Sequence, residues 1–219
     1  MRDINIITMQ TFEVIERTKD LDNEKYFILS AISWQEPIYI KAKTNLNVNV
    51  KMFIQVDNGK VFFGNEEIGE VILVKSPENV IINSTYDIKY TGGYSIDGNV
   101  IYLDKRLPPR IKVKNKTVSL LESIGKHHEL VEKWLIDDGY RYQYAHIIAT
   151  HVEKQYVESL GVNWNDYDKV IGKLLHINYS NVAKVVPENL DLTPYIHSND
   201  EVALNEIKNS TKNLKVIHL

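Results

Sequence analysis

Cysteine is missing from this chain altogether. That excludes disulfides and thiolate metal sites, and it fits a reducing cytoplasm or a particle assembled there. Long apolar runs are missing too. No stretch approaches the roughly 20 residues that span a bilayer, so no membrane association is expected. The opening "MRDINIITMQTFEVIERTKD" is too acidic and too polar for a signal peptide. There is no basic excess: Lys and Arg number 26 against 29 Asp and Glu, a net charge of -3. With no basic patch either, no nucleic-acid footprint is expected. Internal repeats and low-complexity tracts are also absent. What is present is ordinary for a folded chain: 43% hydrophobic and 25% charged over 219 residues. That is enough for one large domain or two small ones with a real core. The abundance of Asn, Ile, Lys and Tyr suggests an AT-rich genome and says nothing about chemistry.

The first half reads as β. In "LNVNVKMFIQV" (46–56), Leu46, Val48, Val50, Met52, Ile54 and Val56 recur with period 2, which predicts a strand with one buried face. Asn58-Gly59 predicts a type I′ hairpin turn into a return strand "VFFG". "NEEIG" predicts a second turn, "EVILV" (70–74) another strand, and "EPIYIKAKT" (36–44) one further upstream. A β-sandwich or small barrel with a docking or assembly role follows. Pro77 and "SPENVIINSTYD" mark a boundary, giving a β domain over 1–85 and a second domain over 86–219. In the second, a "DGN" turn leads into the strand "VIYLD", and Pro108-Pro109 stops it.

The remainder turns helical. Ser119 and Glu122 sit at capping-box spacing, and a first helix is expected to run to about Ile136. Gly139 suits a left-handed C-terminal position. A second helix is expected from about Tyr142 to Leu160, stopping at Gly161. Asn163 or Asn165 caps a short third helix. "VVPENLDLTPYIH" is expected to lie extended on the surface, and the C-terminus to form a weak helix and a last strand. The fold class is therefore α+β.

The stretch "GKHHELVEKWLIDDGYRYQYAHIIATHVEKQYVESLG" (125–161) places polar residues where helical spacing wants core residues. Ile124, His128, Val131 and Leu135 form one stripe, with Glu132 four residues after His128 on the same face. His146, Ala149, Glu153, Tyr156 and Leu160 form another. A short turn joins the helices, so they should pack as antiparallel neighbours, each offering a His and a carboxylate. Buried acids are nearly always paired or metal-bound. Two His plus carboxylates match a site of nitrogen and oxygen ligands for a divalent metal, zinc being favoured. "HELVE" reads H-E-x-x-E. In H-E-x-x-H metallopeptidases the first and fifth residues bind zinc and the second is the general base. The expected ligands are His128, Glu132 and His146, with Glu153 as a fourth ligand or as an acceptor orienting an imidazole. Glu129 is the expected base, or else an exposed helix-surface acid, and "VIYLD" the edge strand aligning an extended substrate. A buried His–Glu ion-pair network without metal satisfies the same pattern. His127 and His151 fall off the stripes and should be solvated. Tyr140, Tyr142 and Tyr144 should pack on the turn, lining a cleft being the alternative. A ferritin-like di-metal site needs four long helices with Glu-x-x-His pairs, which this chain lacks.

From about Tyr90 to Tyr195 the chain resembles a group of uncharacterised proteins of tailed bacteriophages and prophages. The resemblance rests on "YSIDGNVIYLDKRLP", "HELVEKWLIDDGYRYQYAHIIATHVEKQYV", "GVNWNDYD" and "LDLTPY". It points to Tyr102, Asp104, Pro108, His128, Glu129, Glu132, His146, Thr150 and Glu153. It implies a phage context, with host bacterial cytoplasm or virion as location and other phage proteins, met through the β domain, as partners. Two functions are expected to compete: a metal-dependent hydrolase of peptides with a zincin-like site, and a virion component of head or connector in which the cluster is structural. An inhibitor of host defence suits the size but has no specific residue behind it.

Overall fold

The computed structural model describes residues 10–17, 25–32, 36–44, 46, 48, 49 and 51–216. It is α+β, as the patterning predicts, and divides into two compact units after Glu78. That division falls ahead of the expected boundary at 85, because Ile81–Asn83 pairs within the second unit.

The first unit holds six antiparallel strands: β1 (Gln10–Arg17), β2 (Lys25–Ile32), β3 (Pro37–Thr44), β4 (Phe53–Asp57), β5 (Lys60–Phe63) and β6 (Glu66–Lys75). They close into a barrel in the order β1-β2-β3-β6-β5-β4, and closure leaves no sheet edge. Alternate side chains fill the inside, among them Phe12, Val14, Ile40, Ile54, Val56 and Ile68. Each such burial contributes roughly 2 kcal/mol. The β4–β5 turn is the one expected: Asn58 and Gly59 both have positive φ, 46° and 78°. Two expectations need correction. The strand predicted over 46–56 begins only at Phe53, because Lys51 adopts a left-handed φ of 69° and breaks the ladder. Val48 is still buried, Leu46 is exposed, and Val50 lies outside the described residues. The turn expected at "NEEIG" is confined to Gly64 and Asn65, and β6 already starts at Glu66. Gly69 is needed where β6 crosses β3, since a Cβ there would overlap the Lys43 carbonyl oxygen.

The second unit opens with a three-stranded sheet, β7 (Ile81–Asn83), β8 (Gly92–Tyr94) and β9 (Val100–Leu103), ordered β7-β9-β8. The hairpin β10 (Arg110–Val113) and β11 (Lys116–Ser119) follows. Leu121–Leu130 is then wound as a π-helix and runs directly into α1 (Val131–Asp137). After Gly139, at φ 91°, come α2 (Tyr142–Ser159) and α3 (Trp164–Ser180), the latter capped by the Asn163 side chain, which accepts from the Asp166 N–H. α4 (Thr193–His197) and α5 (Glu201–Val216) complete it. α3 is 17 residues long rather than short. "VVPENLDLTPYIH" is not a surface strap: Val186, Leu190 and Tyr195 are buried, and Leu190 bridges to Ser95 beside β8. The C-terminal segment is helical through Val216, and the rest of the expected last strand lies outside the described residues.

Candidate metal centre

Winding decides what faces inward. In a π-helix the bonded turn is i→i+5, so residues four and five apart share a face. From Ile124 that face carries both His128 and Glu129, where 3.6-residue spacing admits only the first. Glu129 is accordingly buried at 7% exposure rather than set on the helix surface. His127 is also buried, against expectation, with its ring stacked on Tyr156 at 3.9 Å and Nδ1 at 2.8 Å from the Glu122 carbonyl. Burial pushes the His127 imidazole down to about 4. His151 is exposed, as expected.

The helix hairpin brings His128, Glu132 and His146 together. His128 Nε2 and His146 Nδ1 are 3.2 Å apart, His146 Nδ1 and Glu132 Oε2 2.7 Å, and His128 Nε2 and Glu132 Oε2 3.7 Å. These three atoms could hold a metal ion. Two donors about 2.05 Å from a tetrahedral cation lie about 3.3 Å apart, so the triangle has a suitable size. Glu153 stands behind it: its Oε2 lies 3.0 Å from His128 Nδ1, the ring nitrogen turned away from the other two donors. An acceptor there fixes the imidazole so that Nε2 faces the metal position.

Two tyrosines complete the support, and sequence spacing did not single them out. Tyr94 donates to Glu132 Oε1 at 3.0 Å, and Tyr167 donates to Glu153 Oε1 at 2.6 Å. Both phenols are buried. The Gly92-Gly93 pair was another unused signal. A Cβ on Gly92 would come within 2.5 Å of Glu129 Oε1, so β8 lies directly against that carboxylate. β9, the expected edge strand, is the middle strand, with β7 and β8 on either side of it. Asp104 N–H donates to Thr91 and Ser95 N–H to Val100, so the alternating ladder turns Gly92 and Tyr94 to the outer side; there the Tyr94 carbonyl accepts from the Asp191 N–H and Ser95 bridges Leu190, which leaves only the Gly92 end of β8 on the cavity.

The charges are interdependent. Burial opposes the charge on His128, but Glu132 and Glu153 raise its pKa well above the usual imidazole value. Burial likewise opposes charge on Glu132, and the nearby His128 together with the hydrogen bond from His146 overcomes it, lowering the carboxyl to about 2. Glu129 is pushed up to about 8 by burial, with His128 opposing and Glu132 and Glu153 adding like-charge repulsion.

The site is open on one side. The His146 side chain is 48% exposed rather than buried in its stripe. It borders a cavity of about 370 Å³ lined by His128, Glu129, Glu132, Glu153, Tyr142 and Thr150, among others. Tyr142 thus lines the cavity instead of packing only on the turn, whereas Tyr140 and Tyr144 stack on each other at 6.0 Å. Thr150 donates back to the His146 carbonyl. Tyr102 and Asp104, which the resemblance marks, serve the frame: Tyr102 donates to Asn189, and Asp104 accepts from the Ile88 N–H and Arg106. Pro108 lies in the turn between β9 and β10. No helix among the described residues is long and apolar enough to cross a membrane. No family model, curated protein or solved structure matches this chain.

Proposed function

We propose that this chain is a zinc-dependent hydrolase of peptide bonds, acting in the phage context that its resemblance implies. One observation carries the reading: three nitrogen and oxygen donors at tetrahedral spacing line an open cavity with an additional buried carboxylate, Glu129, beside them. Zinc is the favoured cation because two imidazoles, one carboxylate and an open side match the three-ligand pattern of catalytic zinc. When bound, zinc supplies Lewis acidity toward a carbonyl and a water. Glu129 then takes a proton from the water while the water oxygen bonds to the carbonyl carbon. The C–N bond breaks, and the proton passes from Glu129 to the leaving nitrogen. The positive charge of the cation favours the ionised form of Glu129.

The rival reading, a virion component with a structural His/Glu cluster, calls for a closed site. The half-exposed His146 and the cavity favour the enzyme. The test is cleavage of a fluorogenic peptide library by zinc-loaded protein, compared with Glu129→Gln. The variant is expected to keep its zinc and lose turnover by about a hundredfold or more. Turnover unchanged in a zinc-retaining Glu129→Gln variant, or no cleavage by the wild type, contradicts the reading.

A further inference from the structure

α3 carries apolar side chains that it does not bury. Of its 17 residues only Tyr167 and Asn178 are fully buried. Trp164, Ile171 and Leu175 instead line the cavity, with Leu175 38% exposed, and Ile124 joins them from the π-helical segment. The cavity thus has an apolar wall on this side. His128, Glu129, Glu132 and His146 line it elsewhere, and Tyr90, Thr91, Gly92 and Tyr142 supply a polar wall. An apolar wall left wet beside charged groups gains when a ligand covers it with apolar surface. Gly92, which lines the cavity without a side chain, lets a ligand backbone approach closely on that wall. Asp168 on the lining, with Glu129 and Glu153, disfavours an acidic side chain.

Building on the zinc-hydrolase reading, we infer that the cavity takes an extended peptide segment with a large apolar side chain next to the carbonyl held at the metal. That side chain rests on Ile124, Trp164, Ile171 and Leu175, and the backbone passes Thr91 and Gly92 on the opposite wall. The cavity volume falls within the range of small-ligand sites.

The test uses the full chain loaded with zinc, its content checked by elemental analysis. Glycine, leucine and lysine hydroxamates are titrated by calorimetry, since the hydroxamate anchors on metal and the side chain alone differs. Leucine hydroxamate is expected to bind at least about tenfold more tightly than glycine hydroxamate. An Ile171→Ser/Leu175→Ser variant, changed at partly exposed positions, is expected to keep its zinc and its glycine hydroxamate affinity while losing the preference for leucine. Equal binding of glycine and leucine, strongest binding of lysine, or a preference that survives the double variant overturns this inference and leaves the zinc reading standing. Failure of the wild type to take up zinc overturns both.

Discussion

At the residue scale, the candidate centre depends on groups that never touch the metal position. His128 presents Nε2 because Glu153 holds Nδ1, and Glu153 is itself held by the buried Tyr167 hydroxyl at 2.6 Å. Removing that hydroxyl leaves a buried carboxylate short of a donor while the ring keeps its packing. Tyr167→Phe is therefore expected to fold and to bind zinc about tenfold more weakly, as read by competition with a chromogenic chelator. Unchanged affinity would mean that the Glu153–His128 contact needs no such support. Distant charges follow the same logic. Asp87, 1% exposed, pairs with Lys105 at 3.0 Å and with Arg106, and accepts from the N–H groups of Lys184 and Val185. Burial opposes its charge, but these donors and cations outweigh that and hold the carboxyl below its usual range. A depressed carboxylate stabilises the fold above its unfolded value near 4, and that stability is lost as pH falls through the folded value. Asp87→Asn is expected to cost about 3 kcal/mol at neutral pH and to flatten the loss of stability on acidification, as measured by urea unfolding. An acid limb as steep as that of the wild type would contradict this.

At the scale of elements, local rules were legible where local chemistry decides. The Asn58-Gly59 turn, the left-handed Gly139 and Gly161, the Asn163 cap and the helix hairpin all stand where spacing and turn chemistry put them. The grouping of His128, Glu132 and His146, which could hold a metal ion, was legible for the same reason, because i, i+4 spacing and a short turn bring them together. Other features were not. The π winding of Leu121–Leu130 leaves no mark in a 3.6-residue pattern, so His127 looked solvated and a surface position for Glu129 stayed open beside its reading as a base, although both are buried. Lys51 interrupts an alternating run by its backbone conformation, which apolar periodicity does not report. The packing of Leu190 and Tyr195 is set by tertiary contacts with the β8 segment and with Tyr90, far away in sequence, and the prolines nearby pointed to a surface loop.

At the scale of the whole molecule, the chain folds into a closed barrel and an α+β unit, and among the described residues the second unit supplies the candidate donors and the lining of the cavity. Each unit has its own apolar core. Zinc should therefore stabilise one unit and not the other. Calorimetric scans at a free zinc concentration of about 100 times Kd are expected to raise one unfolding transition by the equivalent of about 2.7 kcal/mol. The barrel transition stays in place. A uniform shift of all unfolding would indicate that metal binding is not confined to the helical unit.

The most direct test of the central claim is elemental analysis of the purified chain by inductively coupled plasma mass spectrometry, beside a His128→Ala/His146→Ala variant. The expected result is about one zinc per wild-type chain and none in the folded variant, as three converging ligands for one cation require. A folded wild type that holds no metal even after loading would contradict it, and the cluster would then be a buried ion-pair network.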